Sequence, residues 1–110
     1  MMNVQTETKP LETIEVDSEY VDLSDFRQLE PRIVKAIKEG KHVVVDLTKA
    51  RKGARGDIYG ELFQEIQKQY ANDTEAFDAA QSVTLRFSPN SPAYESMRCG
   101  YEGLFPVEFK

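Results

Sequence analysis

Three consecutive β-branched residues, Val43, Val44 and Val45, set the tightest limit on what this chain can fold into. They stand in the run Lys41, His42, Val43, Val44, Val45, Asp46, Leu47, Thr48, whose centre has no polar alternation. A strand with one wet face alternates. A strand that does not is covered on both faces, as in the interior of an α/β sheet. Gly40 stands just before the run. Ahead of it, Phe26, Leu29, Ile33, Val34 and Ile37 recur at helical spacing, with Lys35, Lys38 and Glu39 on the other side. Helix, glycine and buried strand make half of a crossover unit, so a mainly parallel or mixed sheet is expected.

The pattern extends on both sides of this unit. Residues 13–16 and 20–23 alternate polar and apolar side chains, as short half-buried strands do. Ser24 or Asp25 can cap the helix that follows, and Pro31, which has no backbone N–H, makes that helix bend or begin at its position. Asp57 stands as the N-cap of a second helix with the stripe Ile58, Leu62, Phe63, Ile66 and Tyr70, opposed by Glu61, Gln64, Glu65, Gln67 and Lys68. Asn72, Asp73 and Thr74 break it, and residues 75–81 read as a connector with room for one helical turn. Residues 82–87 alternate as a strand with one covered face, and Ser88, Pro89 and Asn90 form a turn. Ser91 before Pro92 opens a short helix, with Tyr94 and Met97 facing inward and Gly100 closing it. Residues 103–109 read as a turn and an extended tail. Residues 1–11 are expected to be a flexible lead-in and residues 12–110 a single domain.

A chain of 110 residues is long enough for one core. It holds no apolar run near the roughly 20 residues that cross a bilayer, and residues 1–10 lack the apolar core of a signal peptide. The single cysteine, Cys99, excludes an internal disulfide and suits a reducing compartment, so a cytoplasmic location is expected. A net charge of −5 argues against general nucleic-acid binding, which needs clustered surplus cations. The charge is unevenly spread. Glu7, Glu12, Glu15, Asp17, Glu19, Asp22 and Asp25 crowd the first quarter, while Lys49, Arg51, Lys52 and Arg55 share one short central segment.

That basic segment follows the buried strand and precedes a helix, where α/β sheets place their ligand sites. Gly53 and Gly56 would let backbone amides approach an anion, but the Gly-Lys-Ser/Thr ending of a P-loop is missing. Asp57 suits a helix start electrostatically, and Tyr59 is an aromatic candidate for the same surface. Asp46 ends the strand as a carboxylate hydrogen-bonded to loop amides. His42 has no partner at metal-ligand spacing, and Cys99 has no base beside it. No titratable pair converges in a catalytic arrangement, so neither catalysis, metal nor cofactor is expected. An acidic inhibitor or immunity-type protein, blocking a basic partner through Glu12, Glu15, Asp17, Glu19 and Asp22, stays open. So does a small-molecule or nucleotide sensor using residues 49–57.

The run Val21, Asp22, Leu23, Ser24, Asp25, Phe26, then Leu29 and Glu30, then Ala36, Ile37, Lys38, Glu39 and Gly40, and the strand ending in Asp46, Leu47, Thr48 resemble the opening of a STAS domain. That family comprises the anti-sigma factor antagonists and their relatives in sulfate transporters. Residues 91–100 and Gly103, Leu104, Phe105, Pro106 and Val107 resemble its last helix and tail, so the likeness covers roughly residues 20–110. It implies a single-domain STAS-like α/β fold: a four- to five-stranded mixed sheet, two main helices and a short C-terminal helix. It also implies a non-catalytic regulator in a partner-switching pathway, binding a serine kinase or an anti-sigma-type protein. The surface implied is Lys49, Arg51, Lys52, Arg55, Gly56, Asp57, Tyr59 and Glu61. The family's Asp-Ser-Ser-Gly motif, whose serine is phosphorylated, corresponds here to Arg55, Gly56, Asp57 and Ile58. Asp57 takes the place of that serine, and no hydroxyl residue lies between Thr48 and Tyr59.

Overall fold

A computed structural model of the chain describes residues 10–97 and 104–110. The expectations for residues 1–9, Cys99, Gly100 and Gly103, and for the side chain of Met97, fall outside the described residues. The elements run β1 (Leu11–Glu15), β2 (Tyr20–Val21), α1 (Leu23–Arg27), α2 (Glu30–Lys38), β3 (His42–Asp46), β4 (Gly53–Ala54), α3 (Ile58–Gln67), α4 (Asp73–Ala80), β5 (Val83–Phe87), α5 (Pro92–Met97) and β6 (Val107–Phe109). Leu11, read from the sequence as lead-in, opens β1 and pairs with His42.

β3 lies inside the main sheet, whose order is β1-β3-β5-β6, every pair parallel. The mixed sheet expected from the sequence is corrected to a parallel one, for a local reason. Residues 20–21 do not return beside β1 as a hairpin. They leave the main sheet and pair, parallel, with Gly53 and Ala54 in a two-residue ladder of their own. Every link between successive main-sheet strands then contains at least one helix, and a helical crossover returns the chain parallel. Because the strand order advances in one direction, right-handed crossovers stack the helices on one face.

The register separates the two faces. Ile14, Val45, Leu85 and Val107 form a row across all four strands on the helix side, and the first three are fully buried. Ile33 and Ala36 of α2 and Ile58, Leu62 and Ile66 of α3 close over that side. Each such side chain contributes roughly 1.5–3 kcal/mol by leaving water. One residue on, Glu15, Asp46, Arg86 and Glu108 form a charged row on the opposite face. Val44 also points to that face and is only 4% exposed. It lies outside the core cluster, however, and its row neighbours Thr13 and Thr84 are exposed and half-buried. The apolar cover expected on both faces of β3 is therefore found, among the described residues, on one.

The helix that Pro31 either bends or begins is two helices. Asp22, not Ser24 or Asp25, caps α1. Its carboxylate accepts from the Asp25 N–H, and Asp25 in turn accepts from the Asp22 N–H, a reciprocal capping box. α2 starts anew with Pro31 in its first turn, where a missing donor costs nothing. It ends on Gly40 at φ +80°, with Lys41 N–H on the Ala36 carbonyl and Gly40 N–H on Ile37, a Schellman ending. Residues 75–81 are no connector. Asn72 Oδ1 accepts from the Glu75 N–H at 2.9 Å and caps the eight-residue α4, which buries Ala76, Ala79 and Ala80. Three small residues give little hydropathy signal, which is why the sequence pattern passed over them.

Candidate functional site

The carboxyl end of β3 delivers the chain to a rim built from its following loop, the start of α3, residues 15–20 and the first turn of α5. Asp46 anchors the turn. It accepts from the Thr48 N–H at 2.9 Å and the Thr48 hydroxyl at 2.6 Å, with Arg86 Nη1 at 3.7 Å. Burial alone would raise the Asp46 pKa, but the Thr48 hydrogen bonds, Arg86 and Lys49 outweigh it and hold the carboxyl below its usual range. It is a fixed anion, suited to holding a loop and not to taking up protons at neutral pH. The Thr48 carbonyl accepts from Ser88 Oγ at 3.0 Å, which ties this loop to the one after β5. Ser91 Oγ accepts from the Ala93 N–H at 3.1 Å and so caps α5, as read from the sequence. His42 Nε2 lies 3.0 Å from Thr84 Oγ1. Among the described residues no three His, Cys, Asp or Glu side chains gather as a metal site requires.

The basic segment is not a plain loop. Ala50 and Ala54 are buried, and β4 joins β2, so the residues between and beside them are turned outward. Lys52 N–H bonds the Glu19 carbonyl and Arg55 N–H the Val21 carbonyl, which extends the ladder at both ends. Side chains repeat the match. Lys49 Nζ lies 2.8 Å from Asp17 and 3.8 Å from Glu15, Lys52 lies 3.4 Å from Glu19, and Arg51 lies 3.7 Å from the same carboxylate. The acidic first quarter and the basic centre, separate in sequence, thus face each other along the rim. The Asp17 hydrogen bond raises the Lys49 pKa, with Glu15 adding to it. These side chains remain mostly in solvent, so the pairs hold geometry loosely and add little to stability.

Asp57 occupies the N-cap position of α3 but does not cap it, since its backbone lies at φ −91°, ψ 3° and no side-chain cap bond forms. Its carboxylate takes the Arg55 guanidinium at 2.9 Å instead, with both side chains about half exposed. Gly56 faces α5 closely. A Cβ there would stand 3.1 Å from the Ser96 backbone oxygen, so the position favours glycine.

Two members of the sequence-derived set belong elsewhere. Tyr59 is corrected from surface to core. It is 1% exposed, and its ring meets Phe105 edge-on at 5.7 Å. The reason was legible, since Tyr59, Leu62, Phe63 and Ile66 recur at core spacing along α3. Glu61 is turned toward α1, where Arg27 Nη2 and Nε grip it at 2.7 and 3.0 Å. The structure therefore brings Lys49, Arg51, Lys52, Arg55, Gly56 and Asp57 together on one rim, buries Tyr59 beneath it, and sets Glu61 to one side.

Sequence reasoning missed a second polar feature. Glu30, at the start of α2, is 6% exposed, and its Oε2 is shut off from water, with the carboxyl in hydrogen-bond contact with that of Glu61. Burial pushes its pKa up to about 7, with Glu61 and Glu65 of α3 adding to the effect and Arg27 opposing it. The signal was available, because Glu30 falls on the face of Ile33 and Ile37 by spacing of three and seven. Among the described residues, no helix is long and apolar enough to cross a membrane. None of the protein families, curated proteins or solved structures compared with this chain matches it.

Proposed function

We propose that this chain is a STAS-like, non-catalytic docking domain of the cytoplasm, resembling an anti-sigma factor antagonist, that binds a protein regulator through the rim at residues 49–57. One observation carries the reading. Asp57, at the place of the family's phosphorylatable serine, stands half exposed at the start of α3 beside a basic segment, with its carboxylate held by Arg55 and not spent on the helix cap. A side chain needed only as a cap would be found making the cap bond. The partner is a serine kinase or anti-sigma-type protein. The permanent charge at Asp57, smaller than the roughly −1.5 to −2 of a phosphate, makes this member constitutive unless its partner or abundance is controlled. Because the rim's ion pairs are exposed and inexpensive to open, an acidic partner can exchange places with Glu15, Asp17 and Glu19.

The inhibitor reading has less support. Glu15, Asp17 and Glu19 can be released to a basic target as readily as Lys49, Arg51 and Lys52 to an acidic one. Two of the five carboxylates are committed elsewhere, however, Glu12 to Arg32 and Lys41 and Asp22 to the capping box of α1.

Capture from host lysate with wild type, Asp57→Ser, Asp57→Ala and the double reversal Arg51→Glu/Lys52→Glu separates the cases. The expected result is a kinase or anti-sigma-type protein on wild type, its loss from the double reversal, and phosphate gained by Asp57→Ser alone. Equal retention of the same proteins by all four forms, with no phosphate on any, would end the proposal.

A further inference from the structure

Where α1 gives way to α2, three carboxyl groups meet two cations. Arg27, the last residue of α1, grips Glu61 of α3 through Nε and Nη2 at 3.0 and 2.7 Å. Lys68, at the end of α3, holds Glu65 at 2.7 Å. Glu30, in the first turn of α2, is 6% exposed, its Oε2 is shut off from water, and its carboxyl is in hydrogen-bond contact with that of Glu61. Glu65 and Arg27 act on it through space, in opposite senses. Lys35 and Lys38 of α2 line the groove outside, where Lys38 Nζ bonds Gln69 Oε1 at 3.3 Å.

Two carboxyl groups in hydrogen-bond contact need a proton between them, because a carboxylate only accepts. With one proton, Arg27, Glu61 and Glu30 sum to no net charge. Without it, they leave an uncompensated anion out of water, which is costly. The N-terminus of α2 favours the anion, too weakly to reverse this. The charge count alone therefore selects the protonated pair.

We propose that this shared proton is a latch, which fastens the joint between α1 and α2 to the first turn of α3 and whose loss lets the joint open locally. The joint is built for it. Only Gln28 and Leu29 separate the two helices, and α2 begins without a side-chain cap. Arg27 and Glu30 stand on its two sides and both reach Glu61, so one acceptor fastens both helices. Phe26 and Ile33, fully buried, anchor what lies beyond, which confines the opening to residues 27–32. The inference does not rest on the rim or on its partner.

The direction with pH follows. In the open joint Glu30 meets water and titrates as an ordinary glutamate, at 4.5, whereas the closed joint keeps its proton up to about 7. Opening becomes easier as pH rises between these values, roughly five- to tenfold per pH unit, and levels off above them.

The test is NMR of the full chain from pH 5 to pH 8.5, following the Glu30 and Glu61 carboxyl carbons and amide hydrogen exchange corrected for its intrinsic pH dependence. The two carboxyl signals are expected to move together near pH 7, as a shared proton requires. The Leu29 and Arg32 amides, bonded to Phe26 and Leu29, are expected to exchange faster than those of Val43 and Leu85 and to show the predicted rise. In Glu30→Gln, whose amide can donate to Glu61 at every pH, the rise is expected to vanish. Glu61→Gln frees Arg27 for Glu30 and is expected to lower the Glu30 midpoint by about one pH unit or more. The proposal is overturned if Glu30 titrates as an ordinary glutamate or without Glu61, or if Glu30→Gln keeps the wild-type pH dependence. It is equally overturned if the joint amides exchange only together with Val43 and Leu85, since Glu30 would then report global unfolding and no local latch.

Discussion

Glu30 shows how one residue can set the pH response of the whole fold. An isolated glutamate titrates at 4.5, and this one at about 7, because burial penalises its charge and Glu61 and Glu65 repel it. The folded state therefore keeps its proton where the unfolded chain has lost it. Glu30 leaves stability intact below pH 4.5, draws it down between 4.5 and about 7, and has no further effect above that. The gap between the two values caps the loss at about 3 kcal/mol. Glu30→Gln should stabilise the protein at pH 8 and make little difference at pH 4.5, and urea denaturation of both forms across that range measures it. If the two stability curves run parallel, Glu30 is ionised throughout. Tyr59 makes the complementary point. Placed on the surface by its closeness to Asp57, it is in the core by its spacing to Leu62, Phe63 and Ile66. Tyr59→Ala should cost about 3–5 kcal/mol, as loss of a buried aromatic does. A docking residue at that position would cost almost nothing in the free chain. Periodicity was the better guide than proximity in sequence, for Glu30 as for Tyr59.

At the scale of elements, strong signals were those in which a local rule had no competitor. Val43 and Val45 are fully buried in β3, and Ser91 with Pro92 opens α5 as the sequence requires. Gly40 ends α2 at φ +80°, and a Cβ there would meet nothing within 4 Å. Gly40→Ala should therefore cost only the left-handed backbone penalty of about 1–2 kcal/mol, and Gly40→Asn less. Equal costs would mean that packing, not backbone, selects glycine. The misreadings arose where two local rules competed. Ser24, Asp25 and Asp22 all favour a helix start, and only the reciprocal bond between Asp22 and Asp25 decides among them. α4 is hidden because alanine buries well but adds little to a hydropathy pattern. Its beginning was nevertheless written in Asn72, which the sequence reading took for a break and which is a cap. Asn72→Ala should cost about 1 kcal/mol, and hydrogen exchange of the α4 amides should rise with it.

At the scale of the whole molecule, the parallel sheet and the charged rim differ in kind. β1, β3, β5 and β6 share continuous ladders with a buried row behind them, while β2 and β4 share two residue pairs and a set of exposed ion pairs. The split of acidic and basic segments was plain in the sequence. That they would meet was not, because pairing across 30 residues depends on where the chain folds back, which no local pattern records. Although Val21 and Ala54 are buried in the core, their ladder has only two rungs and is closed at its ends by exposed residues, so the amides at the ends of the clasp between residues 19–21 and 52–55 should open before those of the main sheet. Its amides, Lys52 on Glu19 and Arg55 on Val21, should exchange faster than Val43 on Ser82 or Leu85 on Pro106. Raising the salt from 0.05 to 0.5 M shortens the screening length from more than 10 Å to roughly 4 Å, and should speed the first pair and leave the second unchanged. That asymmetry is what a docking rim needs. A surface that opens without loosening the core can trade its internal carboxylates for a partner's at little expense, whereas equal protection of both sets of amides would make the clasp part of the frame and leave no part free to trade.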